Sequence, residues 1–343
     1  MLYLSTRNHQ ETYTAARVLA QGRAPDGGLF VPYYTAPFPK EDMEELGKME
    51  FNDIVARLLN IQFQTRLTGN DVRLCVGKSP VRLTQLSNRI LSAECWHNLR
   101  GSYSHLVHSL IHHIFPEATE DNGSWAEVGV GACVLFGIFG ELVGRGLVDY
   151  DRKADVSLVG GDFSMVMSCW YARCWGLPIE NIVCCCNENN ALWNLVAHGA
   201  MRTDAVSIPT PLPEADVAVP VSLERLIHGC GGTEEASVYV EKLRLGATYY
   251  PENALLEKLR SGIYVSVVSS RRTLDTIPNV YATHGYLLSP YSALAYSGLM
   301  DFRAKKGGGR TGLVLCDRSP LLEAETVASA LGVTVEELKA IFE

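Results

Sequence analysis

Residues 154–189 read ADVSLVGGDFSMVMSCWYARCWGLPIENIVCCCNEN. ADVSLVGGDF is an apolar strand ending in a glycine turn, SMVMSCWYARCWGLP is the helix after it, and IENIVCCCNEN opens the next strand. Strand, helix and strand in so short a span make a βαβ unit, parallel and right-handed by default. Loops at the carboxyl ends of such strands are where α/β folds bind ligands, which directs attention to Gly160, Gly161, Asp162, Phe163 and Ser164.

The pattern continues on both sides. Upstream, GSWAEVGVGACVLFGIFGELVGRG is a buried helix whose glycines suggest close packing on a sheet. Before it, Tyr103, Leu106, Val107, Leu110, Ile111 and Ile114 recur at helical spacing and leave His105, His108 and His112 on the polar side. Three histidines so spaced could grip a transition metal, yet no carboxylate or cysteine joins them in the sequence, so a hydrated face is the simpler reading and no metal is expected. Downstream, VSLERLIHGCGG is a helix with a glycine stop and EEASVYVEKLRLGA another helix. GIYVSVVSS is a strand, SPYSALAYSGLMDFRAKKG a helix opened by Ser-Pro and closed by lysines and glycine, TGLVLCDRSP a last buried strand, and EAETVASALGVTVEELKAIF closing helices. Residues 1–75 hold a polar-capped helix, NHQETYTAARVLAQG, a glycine-rich turn, RAPDGGLFVP, and an acidic helix near KEDMEELGKM. They are expected to pack on an α/β core of residues 76–343 that SPVRLTQL enters as a short strand.

The 343 residues, 47% hydrophobic, are ample for a packed interior, and a net charge of −8 offers no basic field for nucleic acid. The first residues lack a secretory pattern, and no run of apolar residues suggests a membrane span. Ten cysteines without such a signal fit a reducing compartment, so a cytoplasmic location is expected. Cys184, Cys185 and Cys186 would point alternately to opposite faces of a strand, which makes them small buried hydrophobes and not one ligand set.

Several long stretches, in order, resemble threonine synthase, a pyridoxal-phosphate enzyme of fold type II: YLSTRN with GRAPDGGLFVP, SPVRLTQL, GGDFSMVMSCWYARCWGLPIENIVCCCNEN, TPLPEADVAVPVSLERLIH and GYLLSPYSALAY. The resemblance implies a three-layer α/β fold with a mostly parallel sheet, like the large lobe of those enzymes. It places His97 on the family's active-site histidine, Ser104 on its Schiff-base lysine and His105 on its aspartate. Serine has no amine and cannot form the internal aldimine. The family's Gly-Asn-Phe-Gly phosphate turn is here Gly161-Asp162-Phe163-Ser164, where a carboxylate would repel phosphate and Ser164 replaces a residue free to take positive φ. Tyr291 stands for a histidine, Ser289 for an aspartate and Ser292 for a threonine. The family's small lobe, about a hundred residues and so domain-sized, would be missing near residues 116–123.

The resemblance therefore implies a threonine synthase-like protein without threonine synthase activity, a pseudoenzyme or regulatory partner for which no cofactor is expected. A missing lobe would uncover a face lined by residues such as Trp125, Gly131, Cys133, Phe136 and Phe139, suited to a second copy or a protein partner. Another reading is a cofactor-independent enzyme built from His97, Ser104, His105, Asp162, Ser164 and Asn187, with Ser292 as a further pocket residue and Ser104, His97 and Asp162 as a possible relay. A third keeps pyridoxal-phosphate lyase chemistry on Lys78 or on Lys305 and Lys306.

Overall fold

The computed structural model describes residues 1–97, 101–119, 121 and 123–342. The chain opens with strands β1 (Leu2–Ser5) and β2 (Asn8–Thr14), helix α1 (Ala15–Gln21) and strand β3 (Phe30–Pro32), which form a small antiparallel sheet in the order β2-β1-β3. Helices α2 (Lys40–Leu46), α3 (Phe51–Phe63) and α4 (Gly69–Val76) follow, then β4 (Arg82–Ser87), β5 (Ile90–Glu94), α5 (Tyr103–Ile114) and α6 (Trp125–Gly144). The βαβ unit is β6 (Ala154–Val159), α7 (Ser164–Cys174) and β7 (Ile179–Cys186). Beyond it lie α8 (Ala191–His198), β8 (Met201–Arg202), α9 (Leu223–Leu245), β9 (Thr248–Tyr249), α10 (Asn253–Gly262) and β10 (Tyr264–Val267). The chain closes with α11 (Ser270–His284), α12 (Pro290–Lys306), β11 (Thr311–Cys316), α13 (Ala324–Leu331) and α14 (Val335–Phe342).

The main sheet runs β10-β7-β6-β11-β5-β4, parallel throughout except for β4, which pairs antiparallel with β5 at one edge. Successive residues of the inner strands feed opposite layers. Val156, Leu158, Cys184, Cys186, Leu313 and Leu315 join the side built on α3, α5, α6 and α7. Val159, Val183, Cys185, Val314 and Cys316 join the side built on α11, α12 and α13. This is the expected three-layer α/β arrangement, and the three cysteines are the buried apolar residues that strand alternation predicts.

Several expectations change. NHQETYTAARVLAQG is not one helix: Asn8–Thr14 is the edge strand β2, and only Ala15–Gln21 is helical, with the Thr14 hydroxyl accepting the Arg17 N–H at its start. Pairing with β1 decides this, because a mostly exposed polar run has no apolar stripe to hold it as a helix. The segments VSLERLIHGCGG and EEASVYVEKLRLGA adjoin directly, broken only at Gly232, whose φ of 82° and ψ of −175° are open to glycine alone. The α6 glycines serve close approach of helices more than of the sheet. A methyl group at Gly129 would meet Phe63, one at Gly137 would meet Phe51, and one at Gly140 would meet Ile54, all from α3.

Trp125, Cys133, Phe136 and Phe139 are 0% exposed and Gly131 is also buried, so they form no uncovered face. Helices α3, α5 and α7 cover α6 from within the chain. Trp125–Gly144 is, contrary to expectation, long and apolar enough to cross a membrane by length and composition, but most of it is enclosed in this core. Between α5 and α6 the chain has only residues 115–124.

Candidate functional site

Strands β6 and β11 are neighbours and parallel, so their carboxyl ends open on one place. A cavity of about 360 Å³ lies there, lined by Gly160, Gly161 and Asp162 after β6 and by Asp317 and Arg318 after β11. The start of α5 contributes Ser102, Tyr103 and Ser104, α6 contributes Glu127, and α7 contributes Ser164.

The turn after β6 is tightly made. The Gly160 N–H donates to the Cys185 carbonyl at 2.9 Å and the Phe163 N–H donates to the Gly160 carbonyl at 2.8 Å. Ser164 is the first residue of α7 and needs no positive φ. The left-handed residues are Gly161, at φ 46°, and Phe163, at φ 76°. A phenylalanine there is strained, and the burial of its ring at 0% exposure offsets the strain. Asp162 folds back on the helix start: Oδ1 accepts the Ser164 N–H at 2.9 Å and Oδ2 accepts the Ser164 hydroxyl at 2.9 Å. A helix N-terminus is a seat for an anion, and here the chain's own carboxylate takes it. Burial, then the neighbouring Glu127 charge, push the Asp162 carboxyl above its ordinary range.

The opposite wall is also acidic. Asp317 Oδ1 is buried with no hydrogen-bond partner among the described residues, and burial lifts its carboxyl to about 7. Arg318 is drawn between Glu214 and Glu323 and lies over the Tyr291 ring, 4.6 Å from its centre. The Tyr291 hydroxyl accepts the Glu214 N–H at 3.2 Å, and burial pushes it up to about 12. The Arg318 charge is thus spent on carboxylates already present.

Of the residues singled out from sequence, Ser104, Gly160, Gly161, Asp162 and Ser164 line this cavity, and Phe163 anchors its turn. His97 does not: its Nδ1 lies 3.9 Å from Glu94 Oε2, beside a different groove with Trp96 and Phe342. The relay of Ser104, His97 and Asp162 is therefore not assembled. His105 caps its own helix region, with Nδ1 3.1 Å from Ser102 Oγ. Asn187 is buried and donates to Thr210 Oγ1 at 3.0 Å and Asp216 Oδ1 at 2.6 Å, holding the loop after β7. Ser292 is buried against Ser289 at the start of α12. Lys78, Lys305 and Lys306 are exposed and away from the cavity lining.

What the sequence reading passed over is His108. Its Nδ1 is 3.1 Å from Ser104 Oγ and its Nε2 is 3.2 Å from Glu127 Oε1, and all three residues line the cavity. The signal available was the i, i+4 spacing of Ser104 and His108; Glu127 comes from another helix and gave none. Asp317 and Arg318 were foreshadowed only by their position directly after a buried strand. Among the described residues no group of three His, Cys, Asp or Glu side chains could hold a metal ion.

The quoted sequence stretches also do structural work. Thr6 and Arg7 both donate to Glu224, joining the N-terminal sheet to α9. Arg225, fully buried, donates to the carbonyls of Phe30 at 3.0 Å and Gly123 at 2.7 Å. Asp216 gathers Thr210, Asn187 and Asn189.

The family model described as the threonine synthase N terminus matches residues 2–79. Human threonine synthase-like 1 is 28% identical over 160 residues, 45% of this chain and 21% of that protein. Threonine synthase of Pseudomonas aeruginosa is 25% identical over 155 residues, 44% of this chain and 33% of that one. The matched stretch thus spans between a fifth and a third of these relatives' length. A pyridoxal-phosphate-bound threonine synthase from Brucella melitensis matches the fold with a TM-score of 0.83 at 19% identity, covering 97% of this chain and 92% of that chain. The chain thus carries a threonine synthase N terminus over residues 2–79 and is similar in fold to threonine synthases.

The cleft of this chain does not fit pyridoxal phosphate. Its described lining has no lysine, the helix N–H at Ser164 is already held by Asp162, and Glu127, Glu214 and Asp317 add further carboxylates. Like charges 4 Å apart oppose each other by about 4 kcal/mol at an effective dielectric of 20.

Proposed function

We propose that this threonine synthase-like chain has left pyridoxal-phosphate chemistry and acts by binding a small polar molecule in the old cofactor cleft, as a pseudoenzyme or regulatory partner. The observation that carries this reading is the Asp162 carboxylate seated at the start of α7, with Ser104 facing the same cavity where the resemblance puts a lysine. The four carboxylates favour an uncharged or amine-bearing ligand over a phosphate ester. The short 115–124 connection is read as the place where the family's small lobe is missing. Regulation through a second copy or a protein partner belongs to the same proposal.

The test is chemical. Pyridoxal phosphate is added to the chain, borohydride reduces any imine, and peptides are mapped by mass. The expected result is no more than sparse modification of exposed lysines. One lysine labelled to completion contradicts the reading, because an internal aldimine forms at a single placed amine.

A further inference from the structure

We propose that Ser104, His108 and Glu127 form a relay for acyl transfer, and that the cleft hydrolyses small esters or amides whose acyl group carries no negative charge. Ser104 Oγ lies 3.1 Å from His108 Nδ1, and His108 Nε2 lies 3.2 Å from Glu127 Oε1. A neutral imidazole has one N–H and one lone pair, so the carboxylate selects the tautomer that leaves Nδ1 to accept from the serine. The two ring nitrogens exchange the roles they have in chymotrypsin-like enzymes, and the roles themselves are kept.

A serine and histidine four residues apart on a helix are by themselves only a local pair. Two further observations separate this pair from that case. Glu127 arrives from α6 and not from α5, and it is itself held: its N–H donates to Ser124 Oγ, while Oε2 lies 3.4 Å from Ser164 Oγ, which is tied to Asp162. The three side chains also share one cavity, large enough for a small ligand, with Ser104 and His108 open to solvent. Ser104 is the second residue of α5, in the first turn; there the Tyr103 N–H donates to the Asp317 carbonyl, the His105 N–H to Ser102 Oγ and the Leu106 N–H to the Ser102 carbonyl, so the Ser104 N–H is the donor offered to an oxyanion.

In the reaction Ser104 Oγ bonds to the carbonyl carbon and its proton passes to His108 Nδ1, giving an imidazolium stabilised by Glu127. The bond from carbonyl carbon to leaving group breaks, and His108 hands the proton to the departing alkoxide or amine. Water then attacks the carbonyl carbon of the acyl-serine, giving its proton to His108; the bond from carbonyl carbon to Ser104 Oγ breaks, His108 returns the proton to Oγ, and the carboxylic acid leaves. With Glu214 and Arg318 paired to each other, the carboxyl groups of Asp162, Asp317 and Glu127 leave the cavity acidic and disfavour an anionic acyl group.

This goes beyond binding and rests on the reading that the cleft takes a small uncharged or amine-bearing molecule, with Ser104 where the resemblance puts a lysine. The two tests are read on different residues, one on lysine and one on serine. The chain is treated with a fluorophosphonate, in which the P–F bond is replaced by a bond to oxygen and fluoride leaves. Mass mapping is expected to find one phosphonyl group per chain, on Ser104. His108→Ala should slow labelling by at least about 100-fold. Ser104→Ala should remain unlabelled while keeping the melting curve of the parent. No adduct on Ser104, or equal labelling in His108→Ala, overturns the proposal. With p-nitrophenyl esters, Glu127→Gln should lower kcat for the acetate and leave KM unchanged, as a residue that positions the base requires; a change in KM alone removes Glu127 from the relay. The hydrogen succinate ester should react at least about 10-fold more slowly than the acetate, and equal rates overturn the substrate class.

Discussion

Asp162 was legible in the sequence as a carboxylate in a phosphate turn, but its direction was not. Repulsion alone would have let it point to solvent; the Ser164 N–H and hydroxyl turn it inward, and Phe163 takes the left-handed conformation that the glycine-poor turn still needs. Arg225 shows the same limit. The sequence marked it as part of a resemblance, and only the fold shows a fully buried guanidinium, its pKa lowered by burial to about 10, bridging α9 to β3 and to the start of α6. Arg225→Met would leave the Phe30 and Gly123 carbonyls without donors, and we expect a loss of about 3 kcal/mol in urea unfolding. Asp317 makes a prediction in pH. A carboxyl that ionises near 3.8 when unfolded and near 7 when folded gains a proton on folding between those values, so its burial costs stability increasingly as pH rises through that window. Asp317→Asn should therefore raise the urea midpoint at about pH 8 and change it little at about pH 4; an equal shift at both would remove the carboxyl as the cause.

Among the elements, those with a strong period were readable and those set by distant neighbours were not. The βαβ unit, the α12 helix after Ser289-Pro290 and the strand TGLVLC emerge as expected, because apolar runs and caps are local signals. β11, though late in sequence, inserts between β6 and β5, which no local pattern shows. β2 was misread because its strand character comes from β1. Helices α3 and α4 went unpredicted although Ile54, Val55, Leu58 and Leu59 mark a helical stripe and Thr68 with Asp71 forms a capping box. The contact between α3 and α6 also explains the glycines of α6. At Gly129 an added methyl would come within 2.8 Å of the Phe63 ring and 2.9 Å of the Trp125 indole, both buried. Gly129→Ala gains up to about 1 kcal/mol of helix propensity, but overpacking against two rings costs about 1–3 kcal/mol. A net fall in melting temperature is expected, and a rise would mean that α3 can yield.

For the whole molecule, the parallel sheet explains why residues as far apart in sequence as Ser104, Glu127, Asp162 and Asp317 meet: the loops after β5, β6 and β11 and the helix starts beside them share one end of the sheet. The place of the cleft was therefore legible from the βαβ unit, whose loops at strand carboxyl ends bind ligands, whereas its membership was not. His97 was drawn in by alignment and lies elsewhere, and His108 was set aside as a polar face. The cleft that results is acidic, lacks a lysine among its described lining residues and has its helix-end anion seat filled from within. The most direct measurement is calorimetric titration of the intact chain with pyridoxal phosphate, repeated with Asp162→Gly. The account predicts no saturable binding to the parent chain and weak saturable binding once the carboxylate is removed. Tight stoichiometric binding to the parent chain, unchanged in Asp162→Gly, would contradict it.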